Sequence, residues 1–189
     1  MPHCHHLTKS VDFCVLCDQE ETKDTNAAIA DNQPTILFAT RPNYLRNAAT
    51  HVHNGCNSYM DAVLPLLSAL SSHDLLDMHK DTLYAVARNV SWRRYSATAL
   101  DLLSGMLQGL SVTDLLTMHP ETLSRISQAA SIGSPSALNA LSPELCHLRV
   151  CDLALMHPNT LFWIAKACIS GSPSAFSSIS PILNDLSPA

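Results

Sequence analysis

The side chains best suited to chemistry crowd the start of the chain. His3, Cys4, His5 and His6 are followed by Cys14-Val15-Leu16-Cys17. A Cys-x-x-Cys turn facing a Cys/His pair across a short loop offers a tetrahedral zinc ion four donors at about 2.0–2.3 Å. Cys4, His6, Cys14 and Cys17 are the ligands expected from this pattern. Two other readings of the segment are a reduced tail with solvated histidines and a site shared with His51, His53 or Cys56. Four protein ligands would close the coordination sphere, so such a zinc ion is structural and not catalytic. The other cysteines, Cys56, Cys146, Cys151 and Cys168, lie in apolar sequence, and at the last three a buried thiol acting as a small hydrophobe is expected. An odd set of seven cysteines, unevenly spread, suits a reducing compartment rather than a disulfide scaffold.

Histidine titrates near neutrality and is the usual general base, which draws attention to His79, His119 and His157. These three recur once per stretch of about 38–40 residues, each directly after a methionine (Met78, Met118, Met156). Such periodicity points to a structural role, with the histidine capping or packing and the methionine in the core. The sequence contains no nucleophile elbow, phosphate-binding Gly-rich loop, HExxH or paired-carboxylate pattern. The expectation is therefore that the protein is not an enzyme and takes no small-molecule substrate.

The recurrence extends far beyond the histidines. Residues 119–148 and 157–186 match at an offset of 38, with Gly133-Ser134-Pro135-Ser136-Ala137 repeated as Gly171-Ser172-Pro173-Ser174-Ala175. An offset of 40 brings His73–Val86 onto the Val112–Ile126 stretch, and an offset of 78 brings Pro42, Leu45, Gly55 and Pro65 onto Pro120, Leu123, Gly133 and Pro143. Four tandem units follow, at about 40–77, 78–117, 118–155 and 156–189, and a period of this length marks a stacked repeat architecture.

Each unit reads as helical. After Pro120, apolar residues fall at Leu123, Ile126, Ala129 and Ala130, and Gly133 stops the helix. Ser134-Pro135 then opens a second helix with Leu138, Leu141, Leu145 and Leu148 on one face. Pro143 leaves two possibilities: a kinked long helix, giving a two-helix unit, or a fresh start at Ser142-Pro143-Glu144, giving a three-helix unit. The one strand signal is Thr35–Phe38. A lone helix pair cannot bury both apolar faces, so the units must stack. The fold expected is all-α: a right-handed α-solenoid of about four 38–40 residue units over 39–189, preceded by a Cys/His zinc-knuckle segment at 1–20 and an acidic linker at 21–38.

Residues 1–38 carry two lysines against six acids, and residues 39–189 carry nine cations against ten acids. A near-neutral body lacks the basic stripe of a general nucleic-acid binder. No apolar run reaches membrane-spanning length and the start lacks a secretory signal pattern, so no membrane partner and a cytoplasmic setting are expected. Partner selectivity is expected where the units differ. The positions before each loop glycine read His53-Asn54, Ser131-Ile132 and Ile169-Ser170. The aberrant second unit instead carries Trp92, Arg93 and Arg94 which, with Tyr84 and Arg88, form the expected hot spot for a protein partner.

The Pro-Glu-Thr-Leu-x-x-Ile string at 120–126, the glycine loop after variable residues and the proline of the second helix resemble the repeats of transcription-activator-like effectors. In that family paired loop residues each read one DNA base. The resemblance implies that His53-Asn54, Ser131-Ile132 and Ile169-Ser170 stand where base-reading residues stand, and with it a nuclear location. The units here are longer than that family's, and no lysine follows the glycine loop. Three functions are thus expected in order: a protein-interaction scaffold with structural zinc, a nucleic-acid binder, and a zinc-containing recruiter of ubiquitin-transfer machinery.

Overall fold

A computed structural model describes residues 41–53, 58–90 and 95–185. They form eleven helices and, among the described residues, no strand. Four helices open the successive units: α1 (Tyr44–His53), α4 (Thr82–Val90), α7 (Thr122–Ser131) and α10 (Thr160–Ile169). Four more follow them: α2 (Ser58–Leu67), α5 (Tyr95–Leu107), α8 (Ser136–Leu145) and α11 (Pro173–Asp185). Three short helices join one unit to the next: α3 (Ser72–Asp77), α6 (Val112–Thr117) and α9 (Val150–Leu155). The zinc-knuckle segment, the acidic linker and Thr35–Phe38 lie outside the described residues.

Local chemistry explains each boundary. At the end of α7, Gly133 takes φ +112°, and the Ser134 N–H donates back to the Ala129 carbonyl at 3.1 Å. Gly171 (φ +116°) ends α10 in the same way, with the Ser172 N–H on the Ala167 carbonyl at 3.1 Å. This left-handed closure satisfies carbonyls that a helix end leaves open, and it favours glycine because an L side chain is strained there.

The short helices start on capping boxes. Ser71 Oγ accepts from the Asp74 N–H at 3.3 Å while Asp74 Oδ2 accepts from the Ser71 N–H at 2.7 Å, and Ser111 with Asp114 repeats the exchange at 3.2 and 2.8 Å. At α9 the cap is Arg149, whose guanidinium has no acceptor atom. Only the Asp152 half of the box is made, at 2.9 Å, and the guanidinium clamps the same carboxylate instead.

Each unit is thus three helices long, yet the break is not at the proline. Pro143 lies inside α8, as Pro65 lies inside α2 and Pro181 inside α11. Its ring deprives the Asn139 carbonyl of a helical donor, and both residues sit on the exposed side, which leaves that carbonyl open to solvent. The chain leaves the helix after Leu145, and the third helix begins at Val150.

Packing follows the repeat. The opening helices α1, α4, α7 and α10 pack each on the next, and α2, α5, α8 and α11 form a second such row. Between the rows runs one continuous core. Val63, Leu103, Leu141 and Ile179 occupy one column of it and Leu67, Leu107 and Leu145 another, all fully buried. Met78, Met118 and Met156 are also in the core, as their spacing predicts. No helix among the described residues is long and apolar enough to cross a membrane.

Candidate interaction surface

Two features recur at the joints between units: a seam centred on the Met-His pairs and a loop edge ending at the glycines. In the seam, the three repeated histidines cap the opening helices. Nδ1 of His79, His119 and His157 accepts from the N–H two residues ahead, at 3.2 Å in each case. Their carbonyls accept from the N–H of Thr82, Thr122 and Thr160 at 2.8, 2.8 and 2.9 Å. Their own N–H groups reach back into the preceding unit, onto the carbonyls of Pro42, Lys80 and Pro120 at 3.1, 3.3 and 3.2 Å. Each ring thus takes an otherwise open N–H at the first turn of an opening helix, a capping role.

A side chain of the preceding opening helix lies on two of these rings. Tyr84 stacks on His119 with centroids 3.9 Å apart and planes 19° from parallel. Arg46 Nη1 lies 3.2 and 3.1 Å from Nδ1 and Nε2 of His79, too close to both for an in-plane approach, so the guanidinium covers the ring face. Arg46, Tyr84, Ser124 and Phe162 are equivalent positions, at offsets of 38, 40 and 38. Beside the His119 joint lies a cavity of about 50 Å³ lined by Leu75, Met78, Thr82 and Met118 among others. Thr82 Oγ1 and Thr122 Oγ1 are buried without a hydrogen-bond partner. In the last unit Thr160 Oγ1 turns onto the His157 carbonyl at 2.7 Å.

The loop edge is where the units differ. Ser170 Oγ donates to the Ser131 carbonyl at 3.0 Å, tying the ends of α10 and α7 together. Beside this bond Ile132 is 54% and Ile169 is 89% exposed. Ser131 and Ser170 therefore serve the joint, while the two isoleucines face outward. His53 ends α1, and Asn54, Trp92, Arg93 and Arg94 lie outside the described residues. Of the remaining expected hot-spot residues, Tyr84 is half-buried against His119 and Arg88 is exposed one turn further along α4.

The cysteines correct the sequence reading. Cys146 and Cys151 are exposed and Cys168 is half-buried, rather than packed in the core. Leu145 and Leu148 take the inward positions around Cys146, whose thiol turns out to the Pro143 carbonyl at 3.0 Å. Cys151 stands outside on α9 beside the buried Asp152. Among the described residues, no group of three or more His, Cys, Asp or Glu side chains could hold a metal, and the expected zinc ligands Cys4, His6, Cys14 and Cys17 lie outside them.

No protein-family model, curated protein or solved structure matches the chain. The surface must therefore be read from its own chemistry. Three of its cations are engaged locally: Arg125 pairs with Glu121 at 2.6 Å, Arg149 with Asp152 at 2.9 Å, and Lys166 lies 4.8 Å over the Trp163 ring. What sequence reasoning missed is the outer face of α9 and α10, where Leu155 is 67% and Phe162 is 60% exposed. The signal was present in the repeat alignment, since Phe162 stands where the third unit has the buried Ser124.

Proposed function

We propose that the protein is a non-enzymatic interaction scaffold: a right-handed α-solenoid of four units whose loop edge holds a protein partner. The two ordered rows of helices support the solenoid arrangement. The observation that carries the function is the pair of outward isoleucines, Ile132 and Ile169, at the ends of α7 and α10, which a Ser170-to-Ser131 bond joins. Apolar side chains on a braced edge suit a desolvated protein contact, whereas phosphate contacts need unengaged cations or exposed amides. The amino-terminal Cys4, His6, Cys14 and Cys17 belong to the same proposal as ligands of a structural zinc ion.

Quantitative capture of partners from the native host, followed by direct titration, tests the reading. The Ile132→Asp/Ile169→Asp variant should retain its helical circular dichroism and lose partner affinity by at least tenfold. Unchanged affinity would count against the loop edge. Tight binding of duplex or single-stranded nucleic acid that weakens steeply between 50 and 200 mM salt would replace the protein partner with a nucleic-acid one.

A further inference from the structure

The cavity of about 50 Å³ beside the His119 joint brings together two buried methionines and one idle hydroxyl. Met78 of unit two and Met118 of unit three both line it, at 5% and 8% exposure. Lys80 and Thr117, which are exposed, form part of the same wall, so the space reaches the surface. Two of the polar side chains on that wall are engaged: Thr117 donates to the Asp114 carbonyl at 2.7 Å, and His79 Nδ1 takes the Asp81 N–H at 3.2 Å. Thr82 Oγ1 is not. It is buried with no partner, although its equivalent in unit four, Thr160, donates to the His157 carbonyl.

A hydroxyl left unbonded in an apolar setting costs free energy, and an acceptor placed beside it recovers that cost. The neighbouring methionines can supply one. Oxygen transfer to a thioether makes a sulfoxide, which is polar where the thioether was apolar. About 10–15 Å³ suffices for one water molecule, so the cavity has room for a further oxygen atom. The same room lets a small hydroperoxide approach sulfur without the joint coming apart.

We infer that Met78 and Met118 form an oxidation site at the joint between units two and three, where a hydroperoxide makes a sulfoxide whose oxygen accepts from the Thr82 hydroxyl. A sulfur lone pair attacks the terminal peroxide oxygen, the S–O bond forms as the O–O bond breaks, and the departing oxygen takes up the proton of the transferred one. With hydrogen peroxide the products are methionine sulfoxide and water, sulfur being oxidised and the peroxide reduced. A core methionine without such a donor disrupts its packing when it gains an oxygen. At this joint the new oxygen is met, so the chain stays folded while carrying the mark. The site shares no residue with Ile132 and Ile169 and stands whether or not they hold a partner.

The full chain is treated with dilute hydrogen peroxide and then with dithiothreitol, which restores reversibly oxidised thiols but not sulfoxides. Mass spectrometry of its peptides should show Met78 or Met118 gaining oxygen about tenfold faster than Met106, a core residue off the cavity wall that must wait for local opening. Urea unfolding of Thr82→Val then tests the hydroxyl. In the untreated chain this change removes an unpartnered group and should leave the midpoint unchanged or raise it. In the oxidised chain it should shift the equilibrium toward unfolding by about fivefold, the size of one hydrogen bond. Sulfoxides at other methionines are common to both oxidised chains and cancel. In a Met78→Leu/Met118→Leu background, a near volume-conserving change, peroxide should no longer alter the effect of Thr82→Val. Equal oxidation rates at Met78, Met118 and Met106 overturn the inference, as does an oxidised chain that has lost its helical circular dichroism. A Thr82→Val effect that is the same before and after peroxide overturns it too.

Discussion

One chemical change, glycine to alanine, should move stability in opposite directions at two positions. Gly105 lies inside α5 at the place where the other units carry a proline, and no heavy atom lies within 4 Å of an added Cβ. Alanine there loses less backbone entropy on folding and should stabilise the protein by about 0.5–1 kcal/mol. Gly133 is equally uncrowded, but its φ is +112°. A left-handed conformation costs an L residue about 1–2 kcal/mol, with no steric term to confuse the reading. The two variants should thus differ by about 2 kcal/mol, or about 1 M in urea midpoint for an m-value of about 2 kcal/mol/M. Urea unfolding followed by circular dichroism and tryptophan fluorescence makes the comparison, and the two probes must coincide for the free energies to hold. Shifts of the same sign would refute the account, as would a Gly133→Ala variant as stable as the parent.

Other outcomes follow from the same geometry. At Gly109 a new Cβ would stand 2.6 Å from Ser72 Oγ and 2.9 Å from Ser72 Cβ, so Gly109→Ala should destabilise by about 1–3 kcal/mol by pushing α3 away. Ser111→Ala removes one half of the box that starts α6 and should cost about 1 kcal/mol in the same urea assay. The Asp152 carboxyl is held below the ordinary carboxylate range chiefly by hydrogen bonds from the Arg149 guanidinium, with burial opposing. Its folded value is depressed, so its contribution is whole above the ordinary carboxylate value and fades as pH falls through the lowered one. Asp152→Asn should therefore lose less of its melting temperature than the parent between about pH 5 and pH 2.5. Cys14→Ser/Cys17→Ser should reduce zinc content, measured by elemental analysis, from about one ion per chain to near zero.

Self-comparison of the sequence exposed the columns of the core, because a residue type that returns every 38–40 positions must meet the same surroundings each time. Met78, Met118 and Met156, the loop glycines and the capping histidines were all legible in that way. The third helix was less so. Its start depends on a serine or arginine whose role appears only when the carboxylate three residues on is seen to answer it. Pro143 misdirects, since a proline on the wet side of a helix near its end interrupts little. The cysteines failed for a related reason: apolar neighbours in sequence place a residue near the core, but helical phase decides whether it faces in, and Cys146 is out of phase with Leu145 and Leu148. The candidate surface was legible at Ile132 and Ile169 as positions that vary between the units, while their exposure needed the fold.

The bond that every repeated histidine makes to the unit behind it runs from one peptide group to another. Peptide groups are common to all residues, and the acceptors at Pro42, Lys80 and Pro120 show that a lysine serves as well as a proline. Such a link is blind to genetic drift at the acceptor. Excision of residues 118–155 would bring the His157 amide opposite the Lys80 carbonyl, a ready-made substitute for the Pro120 carbonyl. The array thus has the makings of a modular kit that can be shortened or lengthened one piece at a time.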